Sequence, residues 1–240
     1  MHRGTAPLSA VTHDAEMAAV LWDMDGTIID SESVWGEAQH RLAAQYGGRW
    51  TEADVTALVG STMEQTVAAL RSAGVDLDDD AIAQALETAV INSLREEIVW
   101  RPGARELLRS LGHAGIRQAI VTTSSKSLVD VVVRALEADL TFSTVVSGDD
   151  VSQGKPHPEP YLTAAARLSV DIADCLAIED SITGLRAAIA SGAVALGVPN
   201  DVALEEGKDH ALWDTLHGKT VKDVLHLFGS RRGVTAPGMF

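Results

Sequence analysis

At 240 residues and 46% hydrophobic content, the chain is long enough for one large domain, or for a core domain carrying a smaller one. Its formal net charge of −15 argues against nucleic acid or an anionic membrane surface as a partner. Small anionic substrates stay open, because a metal and a few cations can reverse a local field. The single cysteine, Cys175, excludes an internal disulfide and fits a reducing compartment, which points to the cytoplasm. It lies in the apolar run Cys175-Leu176-Ala177-Ile178 and reads as a buried structural thiol. No apolar run approaches the ~20 residues of a membrane-spanning helix. Residues 1–17 lack a signal-peptide core and read as a flexible leader.

Residues 18–22 read as the first strand, which stops at Asp23-Met24-Asp25-Gly26-Thr27. Two carboxylates spaced i, i+2 would repel each other on one side of a strand, unless the strand is ending and a divalent cation offsets the charge. The glycine lets backbone approach a ligand, and the donors of such a turn suit a phosphate. Asp23 is therefore a candidate nucleophile and Asp25 its acid/base partner. Residues 31–99 then read as helical throughout. One helix spans 33–46 and is stopped by Gly47-Gly48. Thr51-Glu52-Ala53-Asp54 opens a second, and Ser61-Thr62-Met63-Glu64 matches a capping box that opens a third. Asp78-Asp79-Asp80 starts the longest, running to about residue 98 with Ile82, Leu86, Val90, Leu94 and Ile98 at helical spacing.

Arg101-Pro102-Gly103 breaks that pattern, and helix and strand alternate from there. Helices are predicted over 104–114, 128–136, 158–168 and 183–191, and strands over 117–122, 142–147, 176–179 and 193–198. This alternation implies a parallel sheet covered on both faces. The architecture is thus an α/β core, residues 18–30 and 100–228, interrupted after its first strand by an all-helical insert, residues 31–99. The linkers fall at 30–32 and 99–103, and residues 229–240 read as a loose tail. Ligands of open parallel sheets bind at the carboxyl ends of the strands, so the insert sits over the site as a lid.

Each later strand end carries a polar group. The second leads into Thr122-Thr123-Ser124-Ser125-Lys126, where hydroxyls and free N–H groups could hold phosphate oxygens or simply cap a helix. The third leads to Gly148-Asp149-Asp150 and on to Gly154-Lys155-Pro156-His157, in which Lys155 is either an aimed cation or a solvated loop residue. Asp149 and His157 read as turn and loop residues. The fourth ends in Glu179-Asp180-Ser181, a carboxylate pair suited to Mg²⁺ or a helix cap.

With these motifs in order, the chain resembles the haloacid dehalogenase superfamily, in the branch with a helical cap after the first strand. Asp23-Met24-Asp25-Gly26-Thr27, Thr123, Lys155-Pro156 and Glu179-Asp180-Ser181 carry the resemblance, which spans about residues 18–228. It implies a Rossmann-like core and a phosphotransferase in which Asp23 attacks phosphorus and forms an aspartyl-phosphate. Asp25 would protonate the leaving oxygen and then deprotonate water. By the same resemblance Mg²⁺ would be held by Asp23, the Asp25 backbone carbonyl and Asp180, with Glu179 a ligand or neighbour. Thr123, with Ser124, and Lys155 would hold the phosphoryl oxygens.

Asp25 points to phosphate esters rather than halides, since a halide leaves without a proton. The expected function is a Mg²⁺-dependent phosphatase acting on a small phosphorylated metabolite. A β-phosphoglucomutase-type mutase is the alternative, and a non-catalytic binding protein on the same fold a second. A mutase must hold a second phosphate, so its cap should be cationic. Residues 31–99 instead hold 12 Asp and Glu against 4 Arg. Trp35, Met63 and Glu64 are candidates for selecting the non-phosphate part of the substrate.

Overall fold

The computed structural model describes residues 17–58, 61–137 and 140–232. Val59 and Gly60 of the cap loop, most of the leader and the last eight residues of the tail lie outside the described residues. Six parallel strands form one sheet in the order β3-β2-β1-β4-β5-β6: β1 Ala19–Trp22, β2 Arg117–Val121, β3 Thr144–Val146, β4 Cys175–Glu179, β5 Val194–Gly197 and β6 His210–Leu212. β1 is central, with Trp22 level with Ile120 of β2 and with Ile178 of β4. The next residue out of β1 is Asp23, so it emerges between the ends of both neighbours.

The strands are apolar because both faces are covered. Val20, Trp22, Ile120, Ile178 and Leu196 point to one face with the leucines of α5 (Ala104–His113) and the aliphatics of α6 (Lys126–Leu136). Ala19, Leu21, Ala119, Val121, Ala177 and Ala195 point to the other, with α7 (Glu159–Leu168) and α8 (Ile182–Ser191). The second set is dominated by alanine, which brings α7 and α8 close to the strands. A polar pair inside the first face is satisfied: Trp22 Nε1 donates to Gln118 Oε1 at 3.0 Å, and Gln118 Nε2 donates to the Leu108 carbonyl at 2.9 Å.

The insert contributes α1 (Glu32–Gln45), α2 (Glu52–Ala57), α3 (Met63–Ser72) and α4 (Asp79–Glu96). Ile82, Leu86, Val90 and Leu94 form the buried stripe of α4, as their spacing predicts. The third helix is capped one residue later than expected. Thr62, not Ser61, accepts from the Gln65 N–H, and Gln65 returns the bond to the Thr62 N–H. Glutamine serves at that position as well as glutamate, so both frames match the pattern and the structure takes the second.

Both linkers run side by side. Ile29 bridges Trp100, the Asp30 N–H donates to the Val99 carbonyl at 2.8 Å, and the Arg101 N–H donates to the Ile28 carbonyl at 3.0 Å.

Beyond shifts of one or two residues at element ends, three features depart from the sequence reading. Met17, expected in the leader, is buried in the core, and its neighbour Ala18 is tied by its N–H to the Asp174 carbonyl. β6 has no counterpart among the predicted strands. The last helix, α9 (Val221–Arg231), has no counterpart among the predicted helices and takes in Gly229, Ser230 and Arg231, which are expected in the tail. Its buried Val224, Leu227 and Phe228 anchor it, and the helix continues to its own hydrogen-bonding limit. No described helix is long and apolar enough to cross a membrane.

Candidate active site

Asp23 is buried at the end of β1, its N–H donating to the Ile178 carbonyl at 3.0 Å. Its Oδ1 accepts from Lys155 Nζ at 2.7 Å, while Oδ2 is buried without a partner. Lys155 reaches in from the loop after β3 and also donates to the Val121 carbonyl at 2.8 Å and pairs with Glu179 Oε1 at 2.7 Å. Burial alone would lower its pKa. The Asp23 and Glu179 carboxylates outweigh that and hold the ammonium above the usual lysine range. Lys155 is therefore an aimed cation, and the alternative of a solvated loop lysine is set aside.

Glu179, the last residue of β4, is fully buried. Its Oε1 also accepts from Tyr161 of α7 at 2.5 Å, and its Oε2 has no partner. Asp180 follows at the entrance to α8, whose cap is Ser181 rather than Asp180. Oxygens of Asp23, Glu179 and Asp180 lie within 4.8 Å of one another. Burial, and the mutual repulsion of these three groups, push Asp180 and Glu179 above the carboxylate range. Two glycines make room for the cluster. A Cβ on Gly26, where φ is +79°, would overlap Asp180 Oδ2, and one on Gly184 would overlap the Glu179 carboxyl group. Two unpartnered buried carboxylate oxygens beside a third carboxylate form a donor set for a hard divalent cation, whose charge would reverse these pKa shifts.

Asp25 lies two residues on, in a different environment. Ser31 donates to its Oδ1 at 2.7 Å; Ser124 and Thr122 donate to its Oδ2 at 2.6 and 3.3 Å. Burial raises its pKa above the usual carboxylate range, against the pull of the Ser124 and Ser31 hydrogen bonds, and the nearby Asp23 charge adds to the rise. Two carboxylates two residues apart thus differ in role: one faces a cation, the other is held toward its protonated form.

The 122–125 loop divides its hydroxyls differently from the sequence reading. Ser124 uses its hydroxyl on Asp25 and its N–H on Thr122 Oγ1 at 3.0 Å, so it is a support for Asp25 rather than a phosphate ligand here. Thr123 stays exposed at the strand end, its carbonyl against Gly148. The first turn of α6 is occupied too. Asp149, read as a turn residue, accepts from the Lys126 N–H at 2.8 Å, and Ser125 caps the Leu128 N–H.

In the cap, Trp35 is half-buried and packs against the hydrophobic core. Met63 and Glu64 head α3 with exposed side chains, and among the described residues no hydrogen bond or ion pair joins them to the acidic cluster. Sequence reasoning missed Ser31, Thr122 and Tyr161. Ser31 carried the one usable signal, a hydroxyl at the linker next to the Asp25 turn. Glu32, beside it, is pushed up to about 7 by burial and by Asp201, Asp25 and Asp30.

A central parallel strand ending in a carboxylate pair, with a lysine and a second carboxylate pair brought to it from later strand ends, is the layout of an acid-assisted phosphoryl-transfer site. Residues 20–198 match the model of the haloacid dehalogenase-like hydrolases, and the chain belongs to that family. It is 32% identical over 185 residues to the bifunctional riboflavin kinase/FMN phosphatase of Arabidopsis thaliana; the match covers 76% of this chain and 48% of that protein, about half its length. It is 30% identical over 178 residues to the phosphorylated carbohydrates phosphatase of Thermotoga maritima, covering 73% of this chain and 82% of that one. Among solved structures, CbbY of Rhodobacter sphaeroides in complex with xylulose-(1,5)bisphosphate superposes with a TM-score of 0.75 at 27% identity, covering 84% of this chain and 96% of that one.

Proposed function

We propose that the protein is a Mg²⁺-dependent phosphatase that hydrolyses a small phosphomonoester, a sugar phosphate or similar metabolite, through an aspartyl-phosphate on Asp23. The observation that carries this reading is the Asp23 carboxylate itself, with one oxygen on Lys155 and the other buried and unpartnered beside Glu179 and Asp180.

Asp23 attacks phosphorus, a new P–O bond forms to its carboxylate, and the ester P–O bond breaks. Asp25 gives its proton to the departing alkoxide. It then takes a proton from the water that attacks the aspartyl-phosphate, releasing phosphate and restoring Asp23. Lys155 and Thr123 line the position of the phosphoryl oxygens. Mg²⁺ would be held by Asp23, the Asp25 carbonyl and Asp180, with Glu179 at hand, and supplies the charge neutralisation that lets a carboxylate approach a phosphate. Ser31, Ser124 and Thr122 orient Asp25. A single buried free thiol fits a reducing compartment, and we place the protein in the cytoplasm.

The mutase alternative finds little support in the cap. Two of its four arginines already pair with cap carboxylates, Arg41 with Glu37 and Arg71 with Asp79. The test is hydrolysis of p-nitrophenyl phosphate and a panel of sugar phosphates, with Mg²⁺ and with EDTA. Activity is expected only with Mg²⁺, and Asp23→Asn is expected to lose at least about a thousandfold in kcat. Turnover in EDTA or in Asp23→Asn overturns the mechanism. Conversion of β-glucose 1-phosphate to glucose 6-phosphate faster than to free phosphate revives the mutase.

A further inference from the structure

Four hydroxyl residues follow β2 in succession, and the last of them faces the cap. Thr122 and Ser124 hold Asp25, Thr123 is exposed, and Ser125 donates its hydroxyl to Glu87 Oε1 on α4. Ser125 is also the cap residue of α6, so the Glu87 carboxylate lies at a helix N-terminus, where its charge is favoured. Ser124 and Ser125 are adjacent, so a cap-to-core contact lies about 3.8 Å along the chain from the group that sets the acid/base carboxylate.

The α4–α6 contact is packed elsewhere, with Leu94 of α4 and Leu128, Val129 and Val132 of α6 in one core cluster, but for one open place. Toward the linker end of α4 a crevice of about 260 Å³ opens between Leu94, Arg95 and Ile98 on one side and Val131, Arg134 and Ala135 on the other. Glu87 lies nine residues before the end of α4, about 14 Å along the helix axis. A small rotation about the paired linkers therefore moves Glu87 farther than the residues that line the crevice, which lie nearer the hinge.

We propose that Glu87 is a positioning residue: by accepting from Ser125 it holds the cap seated on the core and keeps the 122–125 loop set around Asp25. The inference rests on the phosphatase reading for its kinetic arm and on the fold alone for its structural arm.

The structural arm places spin labels on Gln84→Cys in α4 and Lys222→Cys in α9, both exposed, while the buried Cys175 stays unlabelled. The parent chain is expected to give one distance, and Glu87→Ala and Ser125→Ala each to add a longer one. In the kinetic arm each single variant is expected to lower kcat/KM on p-nitrophenyl phosphate about tenfold, the loss of a charge-assisted hydrogen bond. The double variant should be no more than about twofold worse than either single, because both remove the same contact. Glu87→Gln, which keeps an acceptor, should fall between. Unchanged distances, or losses that multiply in the double variant, overturn the proposal; circular dichroism confirms that each variant is folded. If the parent chain itself hydrolyses nothing, the phosphatase reading fails and the label distances still decide the positioning role.

Discussion

Glu179 shows how a single side chain is fixed at this site. Two donors, Lys155 Nζ and the Tyr161 hydroxyl, converge on one of its oxygens, and the other is buried without a partner against Gly184 of α8. Tyr161→Phe removes one donor and leaves a buried carboxylate less satisfied. It is expected to cost about 1–3 kcal/mol, read as a lower urea midpoint at an unchanged m-value. Tyr161 was illegible in the sequence because an aromatic on the buried face of a helix is ordinarily packing, and nothing in the spacing ties it to a residue eighteen positions away. Asp23, Asp25, Glu179 and Asp180 were legible as candidates because a charged residue at the end of an apolar run has few purely structural roles, whereas Lys155, in the Gly154-Lys155-Pro156 loop, was open between an aimed cation and a solvated residue until the fold brought it to Asp23. Ser124 was misread for a related reason: a hydroxyl beside a strand end can serve a ligand or a neighbouring carboxylate, and only the fold shows that Asp25 is in reach.

Among the elements, α8 is cut to fit the site. Gly184 lies in its first turn, where alanine would ordinarily be favoured by about 1 kcal/mol, yet a Cβ there would overlap the Glu179 carboxyl group. That carboxylate cannot swing away, being held by Lys155 and Tyr161. Gly184→Ala is therefore expected to lower the thermal midpoint and to weaken the stabilisation by added Mg²⁺, both measured by calorimetry. Strands β1, β2, β4 and β5 could be read within about two residues because they are buried and their sequences run apolar, and β3, an edge strand, because its β-branched Thr144-Val145-Val146 marks it. β6 could not: its three residues, His210-Ala211-Leu212, begin with a histidine and include no β-branched side chain. The α4 stripe was legible from its period, whereas the α3 cap was not, since two adjacent hydroxyl residues each offered a valid frame.

At the scale of the whole molecule, acidic groups from separate elements act together on one side chain. Glu32, at the start of α1, is held at about 7 by burial first, then by Asp201 on the loop after β5 and by Asp25 and Asp30. The folded state favours its protonated form. That contribution is intact below about pH 4.5 and is lost as pH rises through about 7. With EDTA present, Glu32→Gln should leave the thermal midpoint nearly unchanged at pH 5 and raise it by about 2–4 °C at pH 8, corresponding to roughly 1 kcal/mol once partial exposure is allowed for. A calorimetric scan of both proteins at the two pH values decides it; a larger gain at pH 5 contradicts the assignment.

The paired linkers have a consequence for how such a protein changes over generations. Because Ile29 bridges Trp100, the chain departs from the core and rejoins it at two touching points. Apart from Ser31, which holds Asp25, and Glu87, which meets Ser125, the residues between them could be shortened, lengthened or exchanged while the ends that the core must accommodate stay in register. Much of the lid can thereby drift in length and surface while the strand ends that carry the acidic cluster are kept.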